Sequence, residues 1–366
     1  MKITLNKTNF EMILNNFQSF LDKKDSSQIT SHIYLETMGD KLLMKATDYE
    51  ISIQSKIDIL QNAEDGIATI EGKKILPIIK QLKDGEVTLE TKDSQILVKQ
   101  GKAKFKLSTF NAAEFNNATK FPEISENDTK INLDSIDFIK SIEKVAVAAD
   151  SSAHKIDNHR IELTGTLIDV KDYYCNFVGT DTRRLAIIRQ NTQSIGTQLS
   201  IIIPKRAILE IKKLFSDDFE IFFSQTMLFV RSQNYAFSTK LINGKYPDYE
   251  KIIPKDFKMQ LKLPKRDIEE AINLIKSLSV NVKITLDSNG LLFEAMSSEE
   301  LESASTQIEL PLEIPEPITL GMNAQYILDF LRYINVAEFE ILINEANMPF
   351  MLRDENYSTI IMPVLC

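Results

Sequence analysis

Apolar and polar residues alternate with period two in three stretches of the chain, beginning near Gly85, Asp218 and Glu338: GEVTLETKDSQILVKQGKAKFKLST, DFEIFFSQTMLFVRSQNYAFSTKL and EFEILINEANMPFMLRDENYSTIIMP. Each stretch is cut by two short polar turns, so each predicts an antiparallel meander. Just before each one, Ile and Leu recur at three- and four-residue intervals, over Gly72–Lys83, Pro204–Leu214 and Asn323–Ile334. That spacing predicts a one-sided helix. Pro204 suits a helix start, whereas Pro77 is tolerable only if it falls in the first turn.

A second amphipathic helix is predicted earlier in each unit, at Lys7–Lys24, Leu133–Val145 and Pro264–Leu278, with more strand-like sequence between the two helices. There the first two units carry the related phrases LLMKATDYEISI and YCNFVGTDTRRLAII, and the third the degenerate LLFEAMSSEELESASTQI. First helices are offset by 126 and 131 residues, second helices by 132 and 119. Recurrence at so regular an interval predicts three similar α+β domains, 1–125, 126–254 and 255–366. The boundaries fall in polar stretches near Glu123–Lys130 and Pro254–Lys258.

Composition narrows the class. The 366 residues are 43% hydrophobic and 26% charged, as in an ordinary globular chain, with a net charge of −9. Two cysteines, Cys175 and Cys366, give no disulfide framework, and no apolar run reaches the 18–20 or so residues of a membrane span. A soluble cytoplasmic protein without a membrane partner is expected.

Catalytic signals are weak. His32, His154 and His159 have no metal-ligand spacing, no cofactor is called for, and neither a phosphate-cradling Gly-rich loop nor a nucleophile elbow occurs. Cys175 lies in an apolar strand phrase and reads as core. Asp48 and Asp181 recur in the related phrases of two units, which points to turn capping rather than catalysis. Two other classes stay open: a metal-dependent nuclease whose carboxylates meet between domains, and a monomeric three-domain scaffold that binds peptides.

The phrases GTDTRRLAI (Gly179–Ile187), KLINGKYPDYEKIIP (Lys240–Pro254) and the tail IIMPVLC, on a triplicated chain, resemble the bacterial DNA polymerase III beta subunit family of sliding clamps over the whole length. The resemblance implies three repeated clamp domains, each with two helices on antiparallel sheet. Two chains would join head to tail as a homodimer, a six-domain ring around duplex DNA. It also implies a non-catalytic processivity factor. Its partners would be the replicative DNA polymerase, the clamp loader, and other polymerases and repair proteins carrying clamp-binding peptides.

The charge pattern fits such a ring. The six helical stretches together carry +7, so the remainder carries −16 to reach −9. Lys73, Lys74, Lys80, Lys83, Lys205, Arg206, Lys212 and Lys213 supply most of the excess, suited to phosphate contact without base readout. The family's contacts carried onto this chain add Lys24 and Arg160. At the ends of the chain, Lys102, Lys104 and Lys106 share one face of a strand, while Glu299, Glu300 and Glu302 cluster in the third unit, which suits a heterologous contact. In the family this is the subunit seam, with Phe105, Leu107 and Leu278 as its apolar part. A peptide groove is implied at Leu163, Thr180, Arg184, Leu185, Pro247, Ile252, Ile360, Met362 and Pro363, apolar walls with a hydroxyl and a guanidinium to orient the guest. Thr182 and Arg183 stand where the family commonly has Gly and His, Lys251 where it has Arg, and Leu365-Cys366 closes the tail without a basic penultimate residue.

Overall fold

The computed structural model describes residues 1–22, 24, 28–150, 160–192, 198–296 and 302–364. Among them, one order of elements recurs three times: a strand, a helix, four strands, a helix and three strands. The helices are α1 (Lys7–Phe17), α2 (Gly72–Gln81), the short α3 (Phe115–Thr119), α4 (Ser135–Ala146), α5 (Lys205–Leu214), α6 (Lys265–Lys276) and α7 (Ala324–Tyr333). The long helices bury the residues that the periodicity singles out: Phe10, Ile13, Leu14 and Phe17 in α1, Ile208 and Ile211 in α5, Ile268, Ile272 and Ile275 in α6. Each such side chain removed from water is worth about 1.5–3 kcal/mol. Asn6 and Asn323 cap α1 and α7, their side-chain oxygens accepting from the amides of Asn9 and Gln325.

Two expectations need correction, and one segment needs adding. The first helix does not run to Lys24: after Phe17 it tightens into a 3-10 turn, Gln18–Phe20. The chain then leaves the helix because the Asp22 amide pairs with the Thr30 carbonyl and the Asp22 carboxylate accepts from the Lys24 amide. Pro77 lies in the second turn of α2, not the first, where it deletes the amide that would bond the Lys73 carbonyl. The segment 112–119, unassigned from sequence, forms a 3-10 turn and α3, started by Asn111 accepting from the Ala113 amide.

The chain packs as two compact units, residues 1–136 with 206–241, and 137–205 with 242–366. Each unit contains a sheet that runs from one repeat into the next. In the first, Tyr235–Lys240 pairs antiparallel with Ile51–Glu64. In the second, Tyr357–Ile361 pairs antiparallel with Arg184–Asn191 and completes an eight-stranded sheet from Leu199–Pro204 to Met259–Pro264. In both cases the last strand of one repeat lies beside the fourth strand of the repeat before it. Aromatic rings pack the helical side of the second unit's sheet: Phe138 of α4 meets Phe177, and Phe330 of α7 stacks on Tyr357 at 5.1 Å. By period two, Val178, Ile187 and their neighbours point to the other side.

Cys175 is fully buried in this core, and burial pushes its thiol up to about 12, consistent with an inert packing residue. Asp48 and Asp181 each cap their own turn. Oδ1 of Asp48 accepts from the amides of Glu50 and Ile51, and Oδ1 of Asp181 from those of Arg183 and Arg184, all at 3.0 Å. His154, His159 and Cys366 lie outside the described residues.

His32 is buried against the Phe110 ring, with Nδ1 3.0 Å from the Ser31 hydroxyl. Burial lowers its pKa to about 4, below the ordinary 6.5. The fold therefore favours the neutral ring, and this stabilisation is complete above pH 6.5 and lost as pH falls toward 4. Stability of the wild type against urea should fall over this window by up to about 1.4 kcal/mol per pH unit from this site as the pH is lowered. His32→Gln should flatten that part of the profile, and an identical profile would assign the acid sensitivity elsewhere.

Candidate peptide groove and nucleic-acid face

On the side of the second unit's sheet away from its helices, register sets Thr180, Leu185, Ile360, Met351 and Leu342 in one row across five strands. The next row holds Leu167, Val178, Ile187, Ser358, Arg353 and Glu340. The connector 242–257 crosses these rows, and Tyr246, Tyr249, Ile253 and Phe257 pack on them in one apolar cluster. The groove residues thus form a gradient: Leu163, Thr180, Leu185 and Ile360 are buried, Pro247 and Pro363 half-buried, and Ile252 and Met362 about two-fifths exposed. The main chain holds the tail, with the Met362 amide donating to the Arg183 carbonyl and the Val364 amide to the Gly321 carbonyl. On the connector's flank, a cavity of about 640 Å³ continues over Ile187, Leu342 and Met351.

Arg184 corrects an expectation. Its guanidinium does not stand open to a guest: it donates to Asp181, to Asp329 of α7 and to the Val147 carbonyl, lies over the Tyr326 ring, and is 9% exposed. It ties the Asp181 turn to the end of α4 and to α7. The exposed guanidinium on this turn belongs to Arg183. The phrase starts with Gly179 because a Cβ there would sit 2.1 Å from the Val145 carbonyl oxygen.

The first unit supplies an internal comparison. The Lys240 amide donates to the Glu50 carbonyl as the Met362 amide does to that of Arg183, both at 2.9 Å. Register matches Ser52 to Leu185 and Ser238 to Ile360. The backbone is shared, but serines replace the central apolar pair of a row that continues through Phe229 and Phe222, and Lys240, in the place of Met362, pairs with Glu50. The second unit's seam thus carries Leu185 and Ile360 at its centre where the first unit's carries Ser52 and Ser238.

The cationic positions divide in two. Lys24, Lys73, Lys74, Lys80, Lys212 and Lys213 present exposed side chains, with Lys74 paired to Glu71 at 2.6 Å and Lys213 to Glu210 at 3.8 Å. Lys205 and Arg206 depart from the expected phosphate contacts. Lys205 turns inward to the Ala149 carbonyl, and burial lowers its pKa. Arg206 pairs with Asp48 at 2.6 Å and donates to the Ser19 carbonyl. Arg160 is exposed and paired with Glu162. At the chain's other candidate seam, Ala103–Ser108 alternates as expected: Lys104 and Lys106 are exposed, and Phe105 and Leu107 are half-buried on the opposite face. Lys102 is exposed in the preceding turn, Leu278 just beyond α6, and Glu302 before Ser305–Glu309. Glu299 and Glu300 lie outside the described residues.

Family models of the DNA polymerase III beta subunit match three successive parts of the chain, its N-terminal domain at residues 1–119, central domain at 132–248 and C-terminal domain at 250–365. The chain belongs to the DNA polymerase III beta subunit family. A beta sliding clamp of Helicobacter pylori strain J99 is 38% identical over 383 aligned residues, covering all of both chains. One from Vibrio cholerae is 24% identical, again over both full lengths. A crystal structure of the Helicobacter pylori beta clamp bound to a DNA ligase peptide matches with a TM-score of 0.93, at 38% identity and full coverage of both chains.

Sequence reasoning missed the residues that seat the connector. Within the family phrase KYPDY, the Tyr246 hydroxyl donates to the Val178 carbonyl at 3.3 Å, and that of Tyr249 to Asp169 Oδ2 at 2.7 Å. Asn176 Nδ2 donates to the Tyr249 hydroxyl at 2.8 Å. The available signal was polarity out of place: Asp169 and Asn176 interrupt strands whose other residues are almost all buried, and such groups need partners.

Thr182 follows Asp181 with φ +74°, as Tyr49 follows Asp48 with φ +72°. A β-branched residue is strained in this left-handed region, where glycine is at ease. Thr182→Gly should raise stability by roughly 0.5–1 kcal/mol, the relieved strain offset in part by greater freedom of the unfolded chain. A denaturation midpoint at or below the wild type's would show that the Thr182 side chain compensates for its strain.

Proposed function

We propose that two copies of this chain close head to tail into a ring of six repeats around duplex DNA. The ring would act in the cytoplasm as a non-catalytic processivity clamp without sequence preference, and its apolar groove would hold peptide segments of the replicative polymerase, the loader and repair proteins.

One observation carries the ring. At both seams within the chain, the fourth strand of one repeat pairs with the last strand of the next. Applied once more, the rule leaves Ser305–Glu309, the fourth strand of the third repeat, and Ala103–Ser108, the last of the first, both edge strands of their sheets. Each is what the other lacks, and a second copy supplies both pairings by a heterologous contact that closes. Lysines 102, 104 and 106 facing Glu302 add charge complementarity, and Phe105, Leu107 and Leu278 add apolar surface.

The groove reading rests on the apolar row across the second seam and on the peptide-bound Helicobacter pylori relative. A non-catalytic role is supported by the carboxylates of Asp48 and Asp181, which are engaged by their own turns. Among the described residues no group of three or more His, Cys, Asp or Glu is placed to hold a metal. Nor is any helix there long and apolar enough to cross a membrane.

Enclosure is tested on nicked circular DNA. Loaded protein should be retained on the circle and lost when the circle is cut, whereas equal loss from both forms would defeat topological tethering. Exchanging Lys73, Lys80, Lys212 and Lys213 for Glu should weaken DNA association and flatten its dependence on salt, because each phosphate contact removed subtracts about 0.9 from the slope on duplex DNA. An unchanged slope would take these lysines off the DNA face.

A further inference from the structure

We propose that Tyr249 and Asp169 are positioning residues of the peptide groove, their buried hydrogen bond setting the connector wall that carries Pro247 and Ile252. The proposal rests on the groove reading above and assigns affinity to two residues that need not touch the guest.

Pro247 and Ile252 lie on the connector 242–257, and their place above the sheet is fixed by what holds the connector down. Tyr249 sits between them in sequence, 5% exposed, and its hydroxyl is saturated: it donates to Asp169 Oδ2 at 2.7 Å and accepts from Asn176 Nδ2 at 2.8 Å. Neither partner is free to drift. Asp169 is paired with Lys171 at 3.1 Å, and Asn176 Oδ1 accepts from Arg189, whose guanidinium lies over the Tyr174 ring at 4.3 Å. The chain of contacts thus runs from two strands of the sheet to the middle of the connector. In such a buried network, losing one partner leaves the others unsatisfied.

The first unit provides a built-in contrast. There Glu36 and Leu43 occupy the register positions of Asp169 and Asn176. Glu36 takes the hydroxyl of Tyr34, its neighbour two residues back, rather than one from a connector. The connector 121–124 is held instead by Phe121 packing against Tyr34 and Phe115 and by Lys45, which lies over the Phe121 ring and reaches the mostly exposed Glu123 at 3.3 Å. An ion pair with one exposed partner fixes position weakly. The buried phenol–carboxylate–amide seat occurs where the floor is apolar, and the looser attachment where the floor is Ser52 and Ser238.

The experiment measures binding of a fluorescein-labelled peptide with adjacent Leu and Phe anchors to the full-length protein, well below its unfolding temperature. Tyr249→Phe should weaken binding about tenfold, the effect of one buried hydrogen bond lost and of the Asn176 Nδ2 donor deprived of its acceptor. Asp169→Ala should do the same, and the double variant should be no worse than either single one. Asp169→Asn keeps an acceptor oxygen and should restore most of the affinity, a rescue that a purely structural role would not produce in affinity. Leu185→Ala and Met362→Ala report on the groove itself. If these weaken binding while Tyr249→Phe and Asp169→Ala stay within twofold of wild type, or if the two losses simply add, the positioning role is overturned and the groove stands. If the groove variants bind as the wild type does, the groove reading fails and the proposal falls with it. Should Tyr249→Phe not fold, the comparison of Asp169→Asn with Asp169→Ala decides: equal affinities overturn the proposal.

Discussion

Main-chain pairing between the fourth strand of one repeat and the last strand of the next is the interaction on which everything else depends. It makes each seam a continuous sheet rather than a contact of side chains, so three repeats can share a fold while differing widely in sequence. It also fixes register, and register decides which side chains share a row. Leu185 meets Ile360, and Ser52 meets Ser238, because the same ladder is formed twice. A slip of one residue would turn the apolar row to the helical side and the Phe177 side to the connector.

The two seams show how a duplicated backbone acquires different chemistry. The capping aspartates, the positive φ that follows each and the amide-to-carbonyl bond at the strand's end are the same in both. What differs is the floor and the way the connector is attached. Function is therefore a property of a few side chains set on a common frame, which is why the repeat pattern establishes the fold but does not by itself say which seam binds.

Much of this was legible in the sequence. Period-two stretches and helical windows recur at fixed order, and the paired aspartates signalled turns. The limits are physical. The end of α1 depends on Asp22 finding Thr30, eight residues further on, and Pro77 sits mid-helix because the α2 face carrying Ile75, Leu76 and Ile79 is buried. The inward turn of Lys205 toward Ala149 and the capture of Arg184 by Asp329 join residues 56 and 145 positions apart. Composition and spacing count charges but do not aim them. Tyr249 was hidden for the same reason, since its phenol and its acceptor are 80 residues apart.

The Met362 and Val364 amides tie the tail down through the main chain. Such an attachment is indifferent to side-chain identity at those positions. Substitutions there leave these bonds in place, so the side chains along that border of the sheet can change while the body beneath them stays fixed.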